Sequence, residues 1–132
     1  FISLFLANIL NTTIQSYWQA DQITNAAEYV DQIVVMTYDT GFKDPDLYSW
    51  WVEQQTISLS SILPKDIELF VGIPSYDKGS NIHPEAENIE TGLKGFEKGV
   101  QNYRSNPDKI TGIAIYSYWT MDDAEWDSLK NL

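Results

Sequence analysis

Three apolar runs in this 132-residue chain close on aromatic side chains, and two of them are followed at once by a carboxylate. The endings read Met36-Thr37-Tyr38-Asp39, Pro74-Ser75-Tyr76-Asp77 and Tyr116-Ser117-Tyr118-Trp119. An aromatic face stacks on the apolar face of a sugar ring, while a phenol or carboxylate hydrogen-bonds its hydroxyl or acetamido groups. Any one such ring serves equally well as a cap on a hydrophobic core. Three coincident run ends favour a carbohydrate cleft, with Tyr38, Asp39, Tyr76, Tyr118 and Trp119 as its candidate residues.

Other chemistries find little support. His83 stands in a polar stretch with no second histidine and no cysteine anywhere in the chain, so no metal site is expected. Gly72 runs into Ile73-Pro74, where proline removes an N–H that a phosphate cradle would need. No Gly-x-Ser-x-Gly elbow presents a nucleophilic serine. No cofactor is expected.

Eight Lys and Arg against nineteen Asp and Glu give a formal charge of −11, which repels nucleic-acid phosphates and anionic lipid alike. A hydrophobic content of 43% supplies enough apolar surface for one core. Absence of cysteine is compatible with secretion without establishing it. The apolar run Phe1 to Leu10 is too short to span a bilayer and has no basic leader, and it reads as a buried strand, with a signal-peptide remnant as the alternative. A chain opening on Phe1 rather than Met is expected to be a fragment or a processed product.

The elements that must position these residues follow from periodicity. Strands are expected near 1–8, 32–39, 67–75 and 111–119, nearly continuous in apolar character, as suits parallel strands covered on both faces. Helices fill the gaps. Asp21 is expected to cap one running through Ile23, Ala26, Ala27 and Val30, and Asp44-Pro45 opens a second carrying Leu47, Trp51, Ile57, Leu59 and Ile62. Ile89, Leu93, Phe96, Val100 and Tyr103 recur at helical spacing, and Asp122 with Glu125 forms a capping box before Trp126 and Leu129. The fold class is α/β, one domain of parallel strands alternating with helices.

The segments Val34 to Asp39, Gly72 to Tyr76 and Gly112 to Trp119 resemble strands six, seven and eight of family 18, chitinase-like glycoside hydrolases. The resemblance covers roughly residues 30–132, and it implies the last four units, the back half, of a (β/α)₈ barrel, with the first segment fitting strand five less specifically. It also implies substrate-assisted, retaining hydrolysis, in which the acetamido oxygen of an N-acetylhexosamine attacks its own anomeric carbon. Tyr38 would then hydrogen-bond the acetamido group, Asp39 orient it, Trp119 floor the subsite, Met36 line it and Tyr76 shape its rim.

Two departures qualify that picture. The strand-four signature Asp-x-x-Asp-x-Asp-x-Glu, which carries the family's general acid, is absent, so the chain alone is not expected to hydrolyse glycosides. The interval from Tyr76 to Gly112 holds only a loop and one helix, which implies a shallow cleft. Half a barrel leaves open edges, so the expected partners are a glycan and either the missing half or a second copy. A catalytically silent lectin-like relative and a free-standing α/β interaction module remain as alternatives.

Overall fold

The computed structural model describes residues 20–64, 66–78 and 83–130. The strand expected near residues 1–8 lies outside the described residues. Three strands, β1 (Gln32–Met36), β2 (Glu68–Pro74) and β3 (Ile110–Tyr116), form one sheet in sequential order with both pairings parallel. Helices α1 (Ala20–Ala27), α2 (Pro45–Ile62), α3 (Ile89–Gln101) and α4 (Asp123–Lys130) alternate with them. The α/β reading with parallel strands between helices is thus observed for the described residues.

Successive side chains of a strand point to opposite faces. Ile33 and Val35 of β1 and Leu69 and Val71 of β2 turn to one face, where they join Ile23, Tyr48, Trp51, Val52 and Leu59 in the main core. Ile73 meets Ile89 and Leu93 in a second cluster, flanked by Ile113, Ile115 and Leu129. The opposite face carries Val34, Met36, Phe70, Gly72, Gly112 and Ala114, cross-paired as Val34, Phe70, Gly112 and as Met36, Gly72, Ala114.

Local chemistry sets most helix ends as expected. Asp44 caps α2 by accepting from the N–H groups of Asp46 at 2.8 Å and Leu47 at 3.2 Å, with Pro45 filling the first helical position. Asp122 and Glu125 exchange the two bonds of a capping box at 2.9 and 3.0 Å. Three expectations need correction. Asp21 lies inside the first turn of α1 rather than at its cap, and Val30 falls beyond that helix. Tyr103 lies past α3, whose backbone turns extended at Asn102, and its side chain is 93% exposed. The run ending at Trp119 is strand only to Tyr116, after which come a cis Tyr116–Ser117 peptide and a 3₁₀ turn over Tyr118–Thr120.

Helices α2 and α3 pack on each other through a glycine seam. A methyl group on Gly95 would run into the Ser49 carbonyl and lie 2.8 Å from Val52 Cβ, while one on Gly99 would lie 2.6 Å from Thr56 Cβ. Gly95→Ala gains about 1 kcal/mol of helix propensity but forces apart a contact with backbone, an overpacking that costs about 1–3 kcal/mol. Net destabilisation of up to about 2 kcal/mol is expected in denaturant melts, whereas Gly→Ala at an open helix position would stabilise.

Candidate functional site

Parallel pairing brings the C-terminal ends of all three strands to one edge of the sheet, the place where α/β sheets gather function. Thr37 continues the ladder past β1, its N–H and hydroxyl both donating to the Gly72 carbonyl at 3.2 and 2.8 Å. Tyr38 therefore leaves the sheet on the face of Val34 and Met36. A Cβ on Gly72 would lie 2.7 Å from the Val35 carbonyl oxygen and 3.4 Å from the Tyr38 ring, so glycine is what lets β1 and this ring lie so close.

The ends of β2 and β3 are tied by hydroxyls. Ser75 N–H donates to the Tyr116 carbonyl at 2.9 Å, Ser75 Oγ to the Ser117 carbonyl at 2.6 Å, and Thr120 Oγ1 to the Ser75 carbonyl at 3.1 Å. Ser75 and Ser117 are buried. Their bonds hold the β3 turn, and the aromatic side chains it carries, beside Tyr76.

Five rings form a connected cluster. Tyr38 stacks on Tyr116 with centroids 5.6 Å apart and planes 5° from parallel, and Tyr76 meets both edge-on at 5.8 and 5.7 Å. Trp119 stands against Tyr116 at 6.0 Å, and Tyr118 against Trp119 at 5.4 Å. Tyr38 is 8% exposed, whereas Tyr116, Tyr118 and Trp119 are 48%, 64% and 68% exposed. The cluster runs from a buried root to an open aromatic rim.

Asp39 enters the cluster through its carboxylate, which accepts the Tyr76 hydroxyl at 2.6 Å. Burial, then the hydrogen bond to Asp39 and the nearby negative charge, push the Tyr76 phenol far above the usual range. Burial, Tyr116 and Asp39 push Tyr38 up to about 12. Both phenols are protonated donors at neutral pH.

The backbone at Asp39 is left-handed, φ 59°, and Gly41 follows at φ 74°. Asp tolerates that conformation better than most residues, at a cost of roughly 1–2 kcal/mol. The turn closes over Glu87, which is 2% exposed. Its carboxylate accepts the Thr40 N–H at 3.0 Å and the Thr40 hydroxyl, and the backbones of Asp39 and Phe42 also favour its charged form. Burial outweighs these bonds and raises the Glu87 pKa above 4.5.

All six expected site residues are thus accounted for. Tyr38, Asp39 and Tyr76 meet directly, Trp119 joins them through Tyr116, Tyr118 touches the group only through Trp119, and Met36 lies one layer deeper, paired with Gly72. Tyr116 and Glu87 were missed. Tyr116 ends the last apolar run two residues after Ala114, so strand periodicity alone puts it on the face of the site. Among the described residues no group of three His, Cys, Asp or Glu side chains is placed to hold a metal ion, and no helix is long and apolar enough to cross a membrane. Compared with known proteins, the chain matches no family model, no curated protein and no solved structure.

The buried carboxylate has a measurable signature. A group whose pKa is raised by folding favours the fold below its unfolded value, near 4.5 for Glu87, and that contribution is lost as pH rises through the folded value. Tyr48 and Tyr76, the ionisable groups that feel its charge, stay protonated throughout this window. The substitution Glu87→Gln would keep an oxygen for both Thr40 bonds without the charge. Between about pH 4 and about pH 7 the difference in Tm between E87Q and the parent should therefore move in favour of E87Q, as thermal melts at each pH would show.

Proposed function

We propose that this chain is the back half of a chitinase-like (β/α)₈ barrel and supplies one wall of a subsite for an N-acetylhexosamine. The observation that carries this reading is the Tyr38, Asp39, Tyr76, Tyr116 constellation at the C-terminal edge of a parallel sheet, continuous with an exposed aromatic rim. Sequential strand order supports a barrel segment over a doubly wound module, in which the order would reverse at a switch point.

In this reading Tyr38 donates to the acetamido oxygen as that oxygen closes on the anomeric carbon, and Asp39 orients the acetamido group from the side of Tyr76. Tyr116 takes the floor beside Tyr38, and Trp119 extends the stacking surface outward. Met36 lines the base. The leaving-group oxygen still needs a proton, and neither carboxylate bonded at this edge is assigned to give it: Asp39 serves the acetamido group, and Glu87 is buried beneath the turn. The chain by itself therefore binds without turnover. A lectin-like relative would behave the same way, and the general acid of a complementary half distinguishes the two.

Titration of the chain with N-acetylglucosamine oligomers, followed by tryptophan fluorescence, tests the proposal. Trp119→Ala and Tyr116→Ala should each weaken binding by about 1–3 kcal/mol, the loss expected when a stacked aromatic is truncated, or about 5–150-fold in Kd. Unchanged fluorescence over millimolar oligosaccharide would refute the sugar subsite.

The barrel reading makes a separate demand. Parallel strands with unpaired edges recruit another chain, so the 15.1 kDa chain should sediment at micromolar concentration as a dimer or larger species. A single monomeric boundary would count against the half barrel.

A further inference from the structure

Glu87 is a buried carboxylate that no step of sugar binding uses. It lies in the segment between β2 and α3, and its partners lie in the turn after β1, 47 residues away. Carboxylates are almost never fully buried unless their hydrogen bonds are satisfied. Here Thr40, which follows the site aspartate, satisfies the carboxylate through both its N–H and its hydroxyl, and the Phe42 N–H in turn donates to Thr40 Oγ1 at 3.2 Å.

The segment that presents Glu87 is itself anchored. The Ala86 and Glu87 N–H groups donate to the His83 carbonyl at 2.8 and 2.7 Å, and the Asn88 amide donates to the Pro84 carbonyl at 2.9 Å. Asn88 then caps α3, accepting from Thr91 N–H at 3.0 Å while Thr91 Oγ1 accepts from Asn88 N–H at 3.2 Å. A carboxylate fixed to a capped helix end can fix what it touches. What it touches is a turn with two left-handed residues, Asp39 and Gly41, which needs such an anchor to hold its shape.

We propose that Glu87 is the positioning residue of the site: from beneath the β1–α2 turn it holds Asp39 in its left-handed conformation, so that the Asp39 carboxylate meets the Tyr76 phenol. The proposal deepens the sugar-subsite reading, because the carboxylate so aimed is the one assigned to orient the acetamido group. Its structural part stands apart from any ligand.

The test uses Glu87→Ala, Glu87→Gln and Thr40→Ala in the full chain, with far-ultraviolet circular dichroism to establish folding at each pH. The readout is the alkaline titration of tyrosine by ultraviolet absorbance. In the parent, Tyr76 stays protonated where a free phenol, at 10.0, ionises. In folded E87A the Asp39 contact loosens, and the Tyr76 phenolate, identified by its absence from the E87A/Y76F double variant, should form at lower pH than in the parent. T40A should move the same way by less, and E87Q, which removes the charge that Tyr76 feels but keeps the acceptor oxygen, should move less than E87A, its shift reporting the lost charge alone.

Affinity for N-acetylglucosamine oligomers should fall about tenfold in E87A and change less than about threefold in E87Q. A folded E87A whose Tyr76 titration moves no further than that of E87Q overturns the proposal. If E87A fails to fold, T40A decides by the same measure, and an unmoved titration there overturns it. If no variant and no parent binds sugar while the Tyr76 phenolate appears as described, the sugar reading falls and the positioning role of Glu87 stands.

Discussion

Backbone pairing of β2 with both neighbours is the constraint from which the rest follows. Because both ladders are parallel, the three strands end on the same edge, and residues far apart in sequence arrive there together. Gly72 with Met36 and Pro74 with Tyr116 are register partners, so Tyr38, Tyr76 and Tyr116 emerge in contact with one another. A shift of one residue in either ladder would send these rings to the helix-covered face. Burial of Ile33, Val35, Leu69, Val71 and Ile73 under α2 and α3 opposes that shift, and the core thereby fixes the site.

Much of this was legible in the sequence where the cause is local. Asp44-Pro45 and the Asp122, Glu125 box act over three residues, and the structure places them as read. Periodicity overran its elements where the backbone turned but the apolar pattern continued: Val30, Tyr103 and Trp119 each extend a run past the end of its helix or strand. The glycine seam had a signal, since Gly92, Gly95 and Gly99 recur on one helical face at a cost in propensity that only close approach justifies. Glu87 had none. A carboxylate in a polar loop reads as solvated, and its burial depends on a turn 47 residues away.

The two carboxylates near the mouth show how environment divides labour between like groups. Asp39 is exposed and accepts one phenol, so it remains available to a polar ligand. Glu87 is sealed off and spends its lone pairs on the turn that carries Asp39. Burying the second charge is unfavourable, as its raised pKa records, and the compensation is a fixed backbone at the first.

Geometry also constrains how a sugar would sit. A ring sandwiched between two aromatic faces needs roughly 7–8 Å between them, twice the carbon contact distance. Tyr38 and Tyr116 are parallel with centroids 5.6 Å apart and already touch, so no ligand enters between them. In the proposed subsite a sugar would lie across the exposed side of Tyr116, with Tyr118 and Trp119 extending the platform and Asp39 at its inner end. That arrangement suits a shallow cleft read from one side, in which stacking supplies contact area and the Asp39–Tyr76 pair supplies orientation. On the proposed reading orientation of the sugar depends on where Asp39 points, so the turn that carries Asp39 would need to be rigid.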